Sequence, residues 1–266
     1  MKQLLRTMFV LMLACGMAAA QVGPPVCAVS AGATSRVAAR PSVASVVTTA
    51  EAGAADPSVL VAAEPMENFG VVRYRLEDYA DCVGGGGCYW ADLDAQARRA
   101  EFVLDKTIAA RKTGEKLALV LDIDETSLSN YCEMKREDYG FLAAMFNAWE
   151  VSPSADIAVP GTLRLFNKAR AAGMAVFFIT GRADGQREAT ARNLKSAGFE
   201  GWKGLSLRVG AQKTMSTVEY KSEERRKILD AGYRIVMNVG DQWSDLNGEP
   251  RGEISVKLPN PFYYIP

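Results

Sequence analysis

An apolar run that stops abruptly at two acids constrains this chain most: Leu117-Ala118-Leu119-Val120-Leu121-Asp122-Ile123-Asp124-Glu125-Thr126. Unbroken apolar character suits a strand buried on both faces, as in the middle of a parallel sheet. Ligands of open α/β sheets gather outside the carboxyl ends of the strands, so Asp122 and Asp124 stand where chemistry is expected. Taken alone, the pair equally suits an acidic helix cap after a buried strand.

The rest of the chain supplies the neighbours such a strand needs. Residues 67–80 and 92–113 have helical spacing, the second with Leu93, Ala97, Ala100, Leu104 and Ile108 three or four apart. After Lys116, strand and helix signals alternate: a strand at 117–122, an irregular insert to about 159, then a helix opened by Pro160 and Gly161 and ended by Gly173. A strand at 174–180, a helix at 184–197 stopped by Gly198, a short strand at 205–209, a helix at 221–231 and a strand at 234–239 follow. The expected fold class is α/β, a Rossmann-like parallel sheet covered by helices on both faces, with a small helical or irregular cap insertion at 127–158.

Composition narrows the chemistry. There is no histidine, which excludes His-based triads, phosphohistidine chemistry and His-ligated zinc. A metal site would have to be oxygen-rich or cysteine-based, and oxygen ligands suit magnesium, calcium or manganese. Lys plus Arg equals Asp plus Glu at 31 each, with no basic cluster, so no nucleic acid polymer is expected as a partner.

The start of the chain reads as an export signal. Lys2 and Arg6 precede an apolar core at 8–14 and the exit Ala18-Ala19-Ala20, so residues 1–20 are expected to be a signal peptide and the protein secreted or periplasmic. Leu13-Ala14-Cys15-Gly16 offers an alternative, a lipoprotein-type signal with a lipid anchor at Cys15. The apolar core is too short for a transmembrane span. Residues 21–66, rich in Ala, Val, Ser, Thr and Pro, read as a tether to a domain at 67–266. Cleavage after Ala20 would leave Cys27, Cys82, Cys88 and Cys132, which in an oxidising compartment allow three complete pairings. The flexible glycine loop between Cys82 and Cys88 favours that pair, with Cys132 joined to one of the two as the alternative.

Three strands end in complementary polar groups: Asp122 and Asp124 after the first, Thr180-Gly181-Arg182 after the second, and Gly240-Asp241 through Asp245 after the last. Parallel strands bring these ends to one sheet edge, and Lys221, ahead of the helix leading to the last strand, can face it too. Singly, Thr180 suits a capping hydroxyl, Lys221 a solvated charge and Asp241 a turn former. Together, paired carboxylates, another acid, a hydroxyl and an ammonium make a magnesium-phosphate pocket.

In this order the motifs resemble those of the haloacid-dehalogenase-like (HAD) superfamily. Asn130, Ile179-Thr180-Gly181-Arg182, Tyr220-Lys221, Gly240-Asp241-Gln242 and the ending Lys257-Leu258-Pro259-Asn260-Pro261-Phe262-Tyr263 are similar to its secreted acid phosphatases, a class B-like group that includes plant vegetative storage proteins. The resemblance implies a magnesium-dependent acid phosphatase acting on small phosphomonoesters. Asp122 would be the nucleophile and Asp124 the acid and base. Asp122, the Asp124 backbone carbonyl and Asp241 would hold Mg2+, while Thr180, Gly181, Arg182 and Lys221 would bind substrate. Asp245 would bind metal through water or orient Lys221. Tyr131, Tyr139, Phe141, Phe146 and Trp149 of the insert would stack on a leaving group or form the insert's own core. A non-catalytic storage or surface-binding protein on the same fold is the alternative; among enzymes, a nucleotidase or phosphotransferase remains open.

Overall fold

The computed structural model describes residues 22–27, Ser58 and residues 66–266. The expected signal peptide, the Cys15 anchor and most of the expected tether lie outside the described residues.

Helices α1 (Phe69–Asp81) and α2 (Tyr89–Ala109) precede a five-stranded parallel sheet. Its strands are β1 (Leu117–Leu121), β2 (Ala175–Ala183), β3 (Gly204–Arg208), β4 (Arg234–Gly240) and β5 (Ile254–Lys257), in the spatial order β3-β2-β1-β4-β5. Between β1 and β2 come α3 (Tyr131–Arg136), α4 (Ala143–Glu150) and α5 (Pro160–Ala171). Helix α6 (Arg187–Ser196) leads to β3, α7 (Thr217–Asp230) to β4, and the short α8 (Trp243–Leu246) lies between β4 and β5.

All five residues of β1 are buried, and they divide by parity. Leu117, Leu119 and Leu121 join Trp90, Leu93 and Leu104 of α2 and Leu165 and Phe166 of α5. Ala118 and Val120 join Tyr220 and Ile228 of α7 on the opposite face. A strand's period of two thus delivers apolar side chains to both layers, each fully buried Leu contributing about 1.5–3 kcal/mol. The α2 and α5 backbones approach so closely that a Cβ on Gly161 would lie 2.4 Å from that of Ala97.

The order of the strands places the site. From β1 the chain winds outward to β2 and β3, then returns to build β4 and β5 on the other side. Connections therefore diverge from β1 and β4, opening a crevice at their carboxyl ends. Leu121 pairs with Val239, and the Asp122 N–H donates to the Val239 carbonyl at 3.0 Å, so the segments carrying Asp122 and Asp241 leave the sheet side by side.

Several elements differ from the sequence reading. Strand β5 was not foreseen: it has only four residues, of which Val256 alone is buried, and so lacks an apolar run. Helix α7 starts at Thr217, which puts Lys221 inside its second turn and not ahead of it. The cause is a capping box: Ser216 accepts from the Glu219 N–H, and the Glu219 side chain accepts from the Ser216 N–H. That signal stands in the sequence as Ser216-Thr217-Val218-Glu219. Helix α2 also starts earlier than the spacing suggested, at Tyr89 with Cys88 as cap, and it ends at Ala109. Cys82 pairs with Cys88 across the glycine loop, and Cys27 with Cys132, so Cys132 joins neither of the other two.

Candidate active site at the carboxyl edge of the sheet

The loop after β1 turns on a single carbonyl. Ile123 O accepts from the N–H groups of Thr126, Ser127 and Leu128, and Glu125 adopts a left-handed conformation at φ 54°. The Ser127 hydroxyl donates to the Asp122 carbonyl at 2.6 Å. Such closure holds the acids at the edge of the sheet instead of letting the chain run on.

Asp122 is buried and faces Lys221, whose Nζ donates to Asp122 Oδ1 and Asp245 Oδ1, each at 2.5 Å. Oxygens of Asp122, Asp241 and Asp245 lie within 4.8 Å of one another. Gly240 lets the chain turn here: a Cβ on it would sit 2.4 Å from that of Asp245. Asp241 accepts from the Thr126 hydroxyl at 2.9 Å and from the amides of Gln242 at 2.8 Å and Asn260 at 2.7 Å. Asp245 also accepts from the Gln242 N–H at 2.8 Å.

Two of the three buried carboxylates, Asp122 and Asp245, share the Lys221 ammonium. Burial, followed by the charge of Asp245, pushes Asp122 well above the usual carboxylate range despite the pull of Lys221. The same two causes push Asp241 up to about 6. Burial alone would lower Lys221, but Asp122 and Asp245 outweigh it and hold the ammonium above its ordinary value. The excess of negative charge and the hard oxygen donors fit a divalent cation. Of the expected metal ligands, the structure brings the Asp122 and Asp241 carboxylates together and adds Asp245. Of the two roles the sequence left open for Asp245, the structure shows its contact with Lys221, and its carboxylate also lies beside those of Asp122 and Asp241.

Asp124 is turned elsewhere. Its Oδ1 accepts from Arg182 Nη2 at 2.6 Å and Asn130 Nδ2 at 3.0 Å, and its Oδ2 accepts from Arg182 Nε at 3.0 Å. Burial would raise its pKa, yet Arg182 and Asn130 prevail and hold it below the usual carboxylate value. Arg182, expected as a substrate contact, lines the cleft and directs its guanidinium to Asp124, and further to the Glu150 carbonyl and the Thr190 hydroxyl at 3.3 Å each. Thr180 is fully buried, its hydroxyl accepting from the Arg182 N–H at 3.2 Å, whereas Gly181 faces open space in the cleft.

Above these groups lies a cleft of about 570 Å³. Asp122, Asp124, Lys221, Asp241 and Asp245 line it, together with Phe141, Phe146 and Glu150 of the insert and Tyr263, Tyr264 and Ile265 after β5. The insert's aromatics therefore divide. Phe141 and Phe146 face the cleft, while Tyr131 packs edge-on against Trp90, Tyr139 stacks on Phe262, and Trp149 packs against the main core. The wall at 263–265 was not expected from the sequence; Gln242 pins it by donating to the Tyr263 carbonyl at 3.3 Å and accepting from the Ile265 N–H at 3.0 Å.

A parallel sheet with clustered acids beyond its two switch-point strands places the chain in the HAD superfamily. Within it, the model of HAD superfamily subfamily IIIB (acid phosphatase) matches residues 42–266, and the chain belongs to that family. Acid phosphatase 1 of Solanum lycopersicum is 40% identical over 149 residues, 55% of this chain and 58% of that protein. Vegetative storage protein 1 of Arabidopsis thaliana is 35% identical over 150 residues, 55% of either chain. The match thus spans less than two thirds of these curated relatives. A class C acid phosphatase from Bacillus anthracis with tungstate bound shares the fold, with a TM-score of 0.58 at 22% identity, over 73% of this chain and 85% of that one. Among the described residues no helix is long and apolar enough to cross a membrane.

Proposed function

We propose that this protein is a magnesium-dependent acid phosphatase that hydrolyses small phosphomonoesters through an aspartyl-phosphate on Asp122. The observation that carries the reading is the buried Asp122 carboxylate, set between Lys221 and the Asp241 and Asp245 carboxylates at the floor of the cleft, with Asp124 held separately two residues on. The family assignment and the named acid phosphatase relative support it.

An Asp122 oxygen attacks phosphorus as the bond to the leaving oxygen breaks; Asp124, held ionised by Arg182 and Asn130 before substrate enters, takes the proton of the phosphomonoester monoanion and passes it to that oxygen. Water then attacks the phosphorus of the acyl phosphate, Asp124 takes a proton from it, and Asp122 and inorganic phosphate are regenerated. Lys221, with Thr180 and Gly181, binds the phosphoryl oxygens. Asp122, Asp241 and Asp245, with the Asp124 backbone carbonyl, would hold Mg2+, which when bound supplies positive charge that screens Asp122 from the approaching phosphate. The insert at 127–158 serves as a cap. Export to an oxidising compartment suits the two disulfides, with a signal peptide at 1–20 and lipidation at Cys15 as the alternative anchor.

Phosphate release from p-nitrophenyl phosphate, with magnesium and with a chelator, tests the reading. Activity is expected with magnesium and not with the chelator, and full activity in Asp122→Asn would overturn the mechanism. The vegetative storage protein relatives favour a second reading, a non-catalytic storage protein, which absence of phosphate release from every ester would support.

A further inference from the structure

Trp149 stands in the last turn of α4 with its ring against the main core, away from the cleft, yet its indole N–H is committed to a group at the site. Nε1 donates to Asn130 Oδ1 at 3.0 Å. Asn130 is fully buried, and its donors face acids: Nδ2 donates to Asp124 Oδ1 at 3.0 Å and Glu125 Oε2 at 3.2 Å, and its backbone N–H donates to Glu125 Oε1 at 2.6 Å.

The polarity of this amide follows from its partners. An indole nitrogen only donates, while an ionised carboxylate only accepts. Asn130 must therefore turn its oxygen to Trp149 and its NH2 to Asp124, which Arg182 and Asn130 hold ionised. The flipped amide would set a carbonyl oxygen against a carboxylate oxygen and an N–H against an N–H. Asp124 is meanwhile gripped from β2 by Arg182, so Asn130 supplies the second grip, from a different element. One bidentate partner allows the carboxylate and guanidinium to move together; two partners on separate elements fix the side chain.

We propose that Trp149 is a positioning residue for proton transfer, acting through Asn130 to hold the Asp124 carboxylate in place. The inference rests on the proposed function and adds a residue in the insert that touches neither substrate nor reacting atoms. Its effect should grow as the leaving oxygen comes to need its proton more.

Trp149→Phe keeps a ring and deletes the donor. With magnesium present, its kcat is expected to fall about tenfold on an alkyl phosphate, the scale of one lost buried hydrogen bond, and less than threefold on p-nitrophenyl phosphate, with KM little changed. In the Asp124→Asn background the same substitution should cost almost nothing, since the two act as a unit. Equal losses on both esters, or an undiminished loss in the Asp124→Asn background, would overturn the inference. Asn130→Ser carries the same comparison if Trp149→Phe does not fold. Should the wild-type protein release phosphate from no ester, the functional reading fails separately. The positioning then stands or falls on the carbon-13 signal of the Asp124 carboxylate at one fixed pH, which shifts in Trp149→Phe if the contact matters and stays if it does not.

Discussion

The sheet-edge floor and the insert that overhangs it are built on different terms. On the floor, Asp122, Lys221, Asp241 and Asp245 are 7%, 3%, 1% and 4% exposed, and each is held by at least one neighbour from a distant part of the chain. In the insert, Phe141 and Leu142 are 68% and 54% exposed, and regular structure amounts to two short α-helices and one turn of 3-10 helix at Pro153–Ala155. The insert is tied down away from its cleft-facing tip: Leu128 bridges Ala158, Cys132 is joined to Cys27, Asp138 pairs with Arg73, Tyr139 stacks on Phe262, and Trp149 and Glu150 reach Asn130 and Arg182. The floor holds charges that repel and so must be over-determined; the cleft-facing tip of the insert meets solvent and tolerates change.

The largest expected effect breaks the floor chemically. Asp122→Asn should lower turnover of p-nitrophenyl phosphate by about 10⁴-fold while circular dichroism still shows a folded protein, as expected when a nucleophile alone is lost. Next is Lys221→Met, which leaves Asp122 and Asp245 buried without their shared cation. Urea unfolding in the presence of a chelator should show a loss of about 3–5 kcal/mol. A loss below 1 kcal/mol would mean that the acids are already neutral in the folded protein.

A third test concerns the insert's root. Glu150 is pushed up to about 7, chiefly by burial and then by the charge of Asp124, with Arg182 pulling the other way. An acid with a raised folded pKa holds its proton more tightly when folded. Its favourable contribution is therefore full below about pH 4.5 and is lost as pH rises through about 7. Relative to Glu150→Gln, the wild-type protein should lose on the order of 2 kcal/mol between pH 4.5 and pH 8, read from paired urea curves. Parallel curves would show that Glu150 does not titrate there.

The smallest effect belongs to the tip. Phe141→Ala should change unfolding free energy by less than about 0.5 kcal/mol, because the ring is mostly exposed. Its KM for a bulky aryl phosphate should rise about threefold, with little change for a small alkyl ester. A stability loss as large as that of Lys221→Met would erase the contrast between floor and insert.

Much of the floor was legible because unbroken apolar strands announce themselves and their polar ends are few. The placement of Asp122, Asp124 and Asp241 at the sheet edge is readable this way, and so is that of Lys221, although its helix begins four residues earlier than the pattern suggests. The capping box at Ser216 is written in the sequence as a serine followed three residues later by a glutamate. Strand β5 was not readable, since an edge strand of four residues carries too little apolar pattern. Arg182 sits next to a motif whose sequence cannot say whether a guanidinium turns to a substrate or to Asp124, and it turns to Asp124. Nor does spacing along the chain separate Phe141 and Phe146, which face the cleft, from Tyr131, Tyr139 and Trp149, which do not.

The sequence by itself determined the layers and the sheet edge, because hydrophobic period and strand polarity are local properties that a linear pattern can encode. Only the tertiary structure decided which partner each charged or amide group took. Asp245 with Lys221, Asn130 with Trp149, Asp241 with Asn260 and Cys27 with Cys132 are joined across long stretches of chain. Such choices depend on which donors and acceptors are buried together, and burial is a property of the packed fold, not of neighbours in sequence.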